Sequence, residues 1–472
     1  MADAQATPQD LGEARPYVLA EAPAEATRID WLDMLLVVVF LLGLYTNYTI
    51  PISQKVPLPS APSGFAGLIL LWRHRHGIRP AAVGGLMAVL LAYVVSIVVA
   101  PNLHYLPRRL NGLIQLTYSL VIGYALFLTL AHARPRQVAG LFLGFSLVLL
   151  VGCLLETYGG LRPFSDHVRS ALYHKGIYEN DLRDLVIYHR VRPKFFASEP
   201  SSVTFCYALF TFIWLVTSRW RLKYLVYLAL VAAGLFAMPG PTLLLMLLLV
   251  LPYLLFLDSR RDGKVSAKRF LGVSVVAAAC AVAFFMLGPS IFQERFRHIQ
   301  EGNDASFFYR VEGPALAGVD VVRSHPVAGA GLTGEPYIEN DVLNSYVKST
   351  GYSMAWVLAS PSTELLINYF WLHWIYLGAI FGLLIGALLT GWFVVLGVPS
   401  PAFAWLVWAI LGQASGAYVG PTCWAVLFAA GAAAMLHQRP AAARAPMRLR
   451  WREVIADLPT RLDRLSLRHA AR

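Results

Sequence analysis

The chain reads as an all-α integral membrane protein with about twelve transmembrane helices, and three observations predict it. The residues are 57% hydrophobic and only 14% charged. The apolar residues arrive in blocks of about twenty, the length that crosses a hydrocarbon core as a helix. The links between blocks alternate between basic and mostly uncharged, as the positive-inside rule expects of a multi-pass chain.

Taken in order, residues 1–30 are acidic and Ala-rich and lack a basic start, which predicts a disordered cytoplasmic tail rather than a signal peptide. The polytopic domain, 31–437, holds apolar blocks near 32–50, 57–72, 81–100, 112–132, 138–158, 200–217, 224–238, 241–257, 270–292, 364–395, 401–419 and 421–437. The second and seventh are short, and the tenth is long enough to begin as a surface helix. With the N-terminus inside, the inner links WRHRHGIRP (72–80), HARPRQ (132–137), SRWRLK (218–223) and DSRRDGKVSAKR (258–269) are basic, and only the short stretch near 396–400 is not. Most short outer links carry no charge, though Arg108 and Arg109 are exceptions. Both termini are therefore expected in the cytoplasm, and 438–472 forms a basic tail that suits either an anionic inner leaflet or solvent. The net charge of +12 is then topological and does not argue for nucleic acid. Cys153, Cys206, Cys280 and Cys423 each fall in an apolar block without a CxxC pair, so neither disulfides nor a zinc site is indicated.

This topology leaves two long outer loops, about 159–198 and 293–362, and long loops are where function concentrates. The first carries seven Lys and Arg against four acids, the second eight acids against five Lys and Arg. A basic wall facing an acidic one suits an anionic substrate group beside a proton acceptor. The apolar blocks themselves are nearly free of ionisable groups, with Asp33 and Glu156 near ends and His373 inside, so an ion-coupled transporter is the second choice.

The stretch VRPKFFASEPSS (191–202) places Arg192, Lys194 and Glu199 just before an apolar block. A helix starting at Pro200 directs free N–H groups and the positive end of its dipole at this loop, an anion site that Arg192 and Lys194 reinforce. The alternative is a plain helix start, with Ser198 or Glu199 as cap and the cations at headgroup level. ASPSTELLINYF (359–370) repeats the arrangement: Ser360 as cap, Pro361 in the first turn, Glu364 and Asn368 on one face. Between them, residues 304–334 read as an interfacial helix weakened by Pro314, with Arg310, Arg323 and His325 as its basic groups. His325 before Pro326 can either end a helix or act as a base. YEND (178–181) and IEND (338–341) offer carboxylates for a divalent cation or simply for turns.

In order and placement these pieces resemble the O-antigen ligase and O-antigen polymerase superfamily: Arg192–Ser201, Arg310, HPVAGAG (325–331), and Asn368 followed by GAIFGLL (378–384). The motif likeness covers roughly 190–385. It implies a multi-span helical enzyme of the C-type glycosyltransferase kind in a bacterial inner membrane. Such an enzyme moves a glycan from an undecaprenyl-pyrophosphate carrier to a hydroxyl at the periplasmic face, with no cofactor or required metal. Ligases of the superfamily carry His before the last Asn. This chain has Ile367 there, which favours a polymerase over a ligase. On this reading Arg192, Lys194 and Arg310 neutralise the pyrophosphate, and Glu364 or His325 serves the acceptor hydroxyl. Asn368 and Glu199 bind sugar, as Phe195, Phe196, Tyr309, Trp371 and Trp374 could by stacking. Membrane lipids, a flippase and a chain-length regulator are the candidate partners.

Overall fold

The computed structural model describes residues 29–53, 56–173, 177–258, 293–301, 304–347 and 365–438, together with the isolated Val275. In chain order the helices are α1 Trp31–Thr46, α2 Ala61–Arg73, α3 Pro80–Val99, α4 Leu106–His132, α5 Pro135–Tyr158, α6 Arg162–Leu172, α7 Asp181–Tyr188 and α8 Pro200–Thr217. They continue with α9 Lys223–Ala237, α10 Leu245–Tyr253, α11 Gln293–Gln300, α12 Gly313–Ser324, α13 Glu339–Val347, α14 Tyr369–Val395, α15 Pro401–Gly412 and α16 Pro421–Gln438. Among the described residues the only sheet is a hairpin, in which Ile50–Ser53 pairs antiparallel with Val56–Leu58.

Proline marks the starts. Pro80, Pro135, Pro200 and Pro401 each sit in a first turn, where the missing N–H is no loss and the fixed φ suits a helix. Six helices among the described residues are long and apolar enough to cross a membrane: 80–99, 103–132, 135–158, 200–217, 241–258 and 369–395. Three shorter apolar ones are α1, α9 and α15. On α3, Met87, Leu91, Val94, Val95 and Val98 are exposed together, an apolar stripe suited to lipid rather than water. This is the pattern of a multi-pass membrane protein.

Of the twelve apolar blocks, the described residues form six as helices long enough to cross, and several of the others take a different form. The block at 57–72 is divided into a hairpin strand and a 13-residue helix. The block at 401–419 stops as a helix at Gly412, and the block at 270–292 lies outside the described residues but for Val275. The Ala-rich α16 is buried on all faces and belongs to the interior. The two long loops are themselves helical, carrying α6 and α7 in one and α11 to α13 in the other. Pro314 does not weaken a helix at 304–334; it sits in the first turn of α12.

Three packings position the site. α5 lies along α8, α1 along α2, and α14 along α3 and α12. α8 is the most enclosed of the six long helices. α14 breaks at Gly378, where φ is +64°. The groups freed by the break are taken up by the HPVAGAG segment: Ala330 N donates to Ile375 O (2.8 Å), Ile380 N to Pro326 O (3.0 Å) and Phe381 N to Val327 O (3.1 Å). At Gly329, itself at φ +52°, an added Cβ would stand 2.2 Å from Ile375 O, so the segment needs glycine to approach this closely. Arg108 and Arg109 find their use here as well. Arg109 is buried and donates to Ala330 O (2.8 Å) and Asn102 O (3.2 Å), and Arg108 Nε donates to Thr333 O (2.8 Å).

Candidate functional site

The segment leading into α8 is held under strain. Phe195 and Phe196 both have positive φ (+35° and +67°), a region that costs about 1–3 kcal/mol for such residues unless the surroundings impose it. The surroundings do impose it. The buried Glu156 carboxylate accepts from Lys194 N (2.9 Å), Phe195 N and Ser165 Oγ (3.0 Å). Tyr173 donates its hydroxyl to Phe196 O (3.0 Å), and buried Arg169 clamps Ala197 O (2.8 Å) and Ser198 O (3.1 Å). Both phenyl rings are used internally: Phe195 fills the space left by Gly152, and Phe196 packs edge-on against Phe164. The result is a rigid approach that delivers Glu199 and Ser201 to the start of α8.

In front of this start lies a cavity of about 260 Å³. Four guanidinium groups line it: Arg183, Arg192, Arg295 and Arg310, together with Glu199 and Tyr309. Two carboxylates behind the wall hold three of the four. Asp184, fully buried, takes Arg192 at 2.8 Å. Asp304, nearly fully buried, takes Arg183 at 3.0 Å and Arg295 at 2.6 Å. Arg310 differs. It has no ion-pair partner among the described residues and donates only to hydroxyls, Ser306 Oγ at 2.7 Å and Ser201 Oγ at 3.3 Å. Its Nε is buried and has no hydrogen-bond partner among the described residues.

The electrostatics follow from this difference. For Arg192 burial opposes the charge, but the Tyr188 and Asp184 groups outweigh it and its pKa stands above the usual arginine value. For Arg310 burial and the neighbouring Arg295, Arg192 and Arg183 push the pKa down, with Glu199 opposing. Among the described residues, four cations against the three carboxylates Asp184, Asp304 and Glu199 leave one unbalanced positive charge, beside the positive end of the α8 dipole. An anion with several oxygens would satisfy Arg310 and relieve the repulsion among the arginines.

The structure brings together Arg192, Arg310, Glu199 and Tyr309 but not Lys194, His325 or a ligand-facing Asn368. Lys194 is buried away from the cavity, with its ammonium 2.8 Å from Asp181. His325 caps the end of α12; its ring nitrogens meet Ser324 Oγ (2.9 Å) and Tyr337 OH (3.2 Å), and it does not line the cavity. Asn368 is fully buried and shares no continuous helix with residue 364, since 366–368 are non-helical. It caps α14 through Trp371 N (3.2 Å) and donates Nδ2 to Arg310 O (2.6 Å) and Gln413 Oε1 (2.9 Å). It positions Arg310 rather than facing a ligand. Glu364 lies outside the described residues. Asp181 of YEND and Glu339 and Asp341 of IEND stand in the first turns of α7 and α13, as turn chemistry would have it.

Arg183 and Arg295 are the residues that sequence reasoning missed. Each looked like one more charge in a loop, and the picture of a basic wall facing an acidic one is not what forms. Arginines from both loops converge, with acids from both loops interleaved. Compared with protein-family models and with curated proteins, the chain matches none of either.

Proposed function

We propose that this protein is a glycan polymerase of the bacterial cytoplasmic membrane, extending a polysaccharide from undecaprenyl-pyrophosphate-linked repeat units. In this reading the chain crosses the membrane about twelve times with both ends inside, and the arginine-lined cavity opens to the periplasm. The observation that carries it is Arg310, an arginine without a carboxylate partner among the described residues, in a cavity built from three further arginines and a helix start.

The chemistry follows from the charges. A diphosphate leaving group gains charge as its bond to the sugar breaks, and preorganised cations stabilise that gain most. Asp184 and Asp304 hold three guanidinium groups in place beforehand, so little reorganisation accompanies the reaction. Arg310 contributes a contact that no carboxylate among the described residues satisfies. Ile367 stands where the resembling ligases carry histidine and lines the cavity as an apolar residue, which supports polymerase over ligase. Membrane lipids, a flippase and a chain-length regulator are the partners this activity would need.

The test is chain lengthening by the purified protein in lipid nanodiscs, supplied with lipid-linked oligosaccharide extracted from cells lacking it. A ladder of products spaced by one repeat is expected. Unchanged substrate, or substrate moved across a bilayer without a new glycosidic bond, overturns the reading.

A further inference from the structure

A second cavity of about 190 Å³ adjoins the first, and Glu199, Ser201 and Ile367 line both. Its chemistry is different. Among the described residues no lysine, arginine or histidine lines it, and Glu199 is its only charged group. The polar lining is otherwise neutral: Asn47 from the end of α1, Ser202 from α8, Ser415, and Thr422 from α16. A diphosphate would meet repulsion and no counter-charge here, whereas a polyol meets hydroxyl and amide groups able to donate and to accept.

Glu199 stands in the dividing wall, and its side chain is not spent on the helix. It occupies the N-cap position of α8 yet makes no capping hydrogen bond. Instead Ser201 Oγ donates to Glu199 Oε1 and itself accepts from Arg310 Nη2 (3.3 Å). This ties the carboxylate to Arg310, which has no ion-pair partner among the described residues of the first cavity. Oε2 accepts no hydrogen bond among the described residues.

We propose that Glu199 is the general base of the transfer and that the second cavity holds the acceptor sugar whose hydroxyl it deprotonates. The inference rests on the glycosyl-transfer reading above. The acceptor oxygen forms the new bond to C1 of the donor sugar as the C1–O bond to the diphosphate breaks. The electron pair leaves on the diphosphate oxygen beside Arg310, and the hydroxyl proton passes to Glu199 Oε2 and then to solvent. The two cavities thus sort the substrates by charge on either side of one carboxylate.

The experiment compares the wild-type protein with Glu199→Gln, Glu199→Ala and Ala417→Phe, the last altering an exposed residue in the wall of the second cavity. Chain lengthening is measured with extracted lipid-linked oligosaccharide, and anion binding by the thermal shift that farnesyl diphosphate produces. Glu199→Gln should lose about 10²-fold or more of turnover, as removal of a general base does, and keep the shift. Glu199→Ala should regain at least tenfold with added formate, which replaces the carboxylate. Ala417→Phe should raise the acceptor KM about tenfold with the shift unchanged. A Gln variant within threefold of wild type overturns the proposal. So does loss of the shift in that variant, or failure of formate to rescue, since either makes Glu199 a structural residue. An Ala417→Phe variant with unchanged KM removes the acceptor from this cavity. A wild-type protein that gives no ladder instead overturns the function itself.

Discussion

Replacing Arg310 by Ala should abolish most activity while leaving the protein folded, and the structure allows the size of both effects to be worked out. Arg310 donates only to Ser306 and Ser201, and both hydroxyls can rotate to other acceptors. Its removal strands no carboxylate among the described residues, so about 1 kcal/mol of stability is at stake. If a phosphate group meets the guanidinium through two charge-assisted hydrogen bonds, each is worth about 1.5–3 kcal/mol. Together that is about 3–6 kcal/mol, or roughly 10²–10⁴ in rate at 1.36 kcal/mol per tenfold. Arg192→Ala makes the contrast. It leaves the fully buried Asp184 with, among the described residues, the Tyr178 hydroxyl and a backbone N–H, and breaking such a buried pair costs about 3–5 kcal/mol. The assay is kcat/KM for lipid-linked oligosaccharide together with the unfolding midpoint in nanodiscs. Arg310→Ala should lose activity with a near-native midpoint, and Arg192→Ala should lose both. Arg310→Lys should recover only part of the loss, since a lysine lacks the planar fork. Near-normal turnover in a folded Arg310→Ala protein would refute the reasoning, as would a midpoint lower than that of Arg192→Ala.

Three further outcomes are expected. His325→Ala should keep turnover within about threefold of wild type, because its ring serves Ser324 and Tyr337 away from the cavity; inactivity with a normal midpoint would return it to the chemistry. Asn368→Asp keeps the oxygen that caps α14 but loses the donors to Arg310 O and Gln413, so about 1–3 kcal/mol of stability and most turnover should go; a fully active variant would show that Arg310 needs no such anchor. Single cysteines at the exposed Ser170 and Ser324, in a chain whose own cysteines are replaced, should both react with a membrane-impermeant thiol reagent in intact spheroplasts; reaction only after lysis would place both segments inside and overturn the orientation.

Much of the helical layout was legible because its causes are local. The apolar block at 200–217 became α8 with the same bounds, since Pro200 can start a helix but not sit deep within one. The blocks near 81–100 and 138–158 became α3 and α5 within a few residues for the same reason, and the block near 224–238 became α9. The break at Gly378 was not foreseen. The apolar run continues through it, and only the HPVAGAG segment, about fifty residues earlier in the chain, can satisfy the groups it frees.

The sequence by itself determined that the chain is helical and apolar, where its main helices begin, and that Arg192, Glu199 and Arg310 stand near helix ends. Those are properties of composition and of the first turn of a helix, which near neighbours decide. Tertiary structure decided which charges remain available. Lys194 and Arg192 are two residues apart, yet one is consumed by Asp181 outside the cavity and the other is held by Asp184 within its wall. Arg183 and Arg295 stand 112 positions apart in the sequence and meet on one carboxylate, Asp304. Whether a charge is neutralised depends on what lies within a few ångströms of it, and in this chain the deciding groups come from both loops.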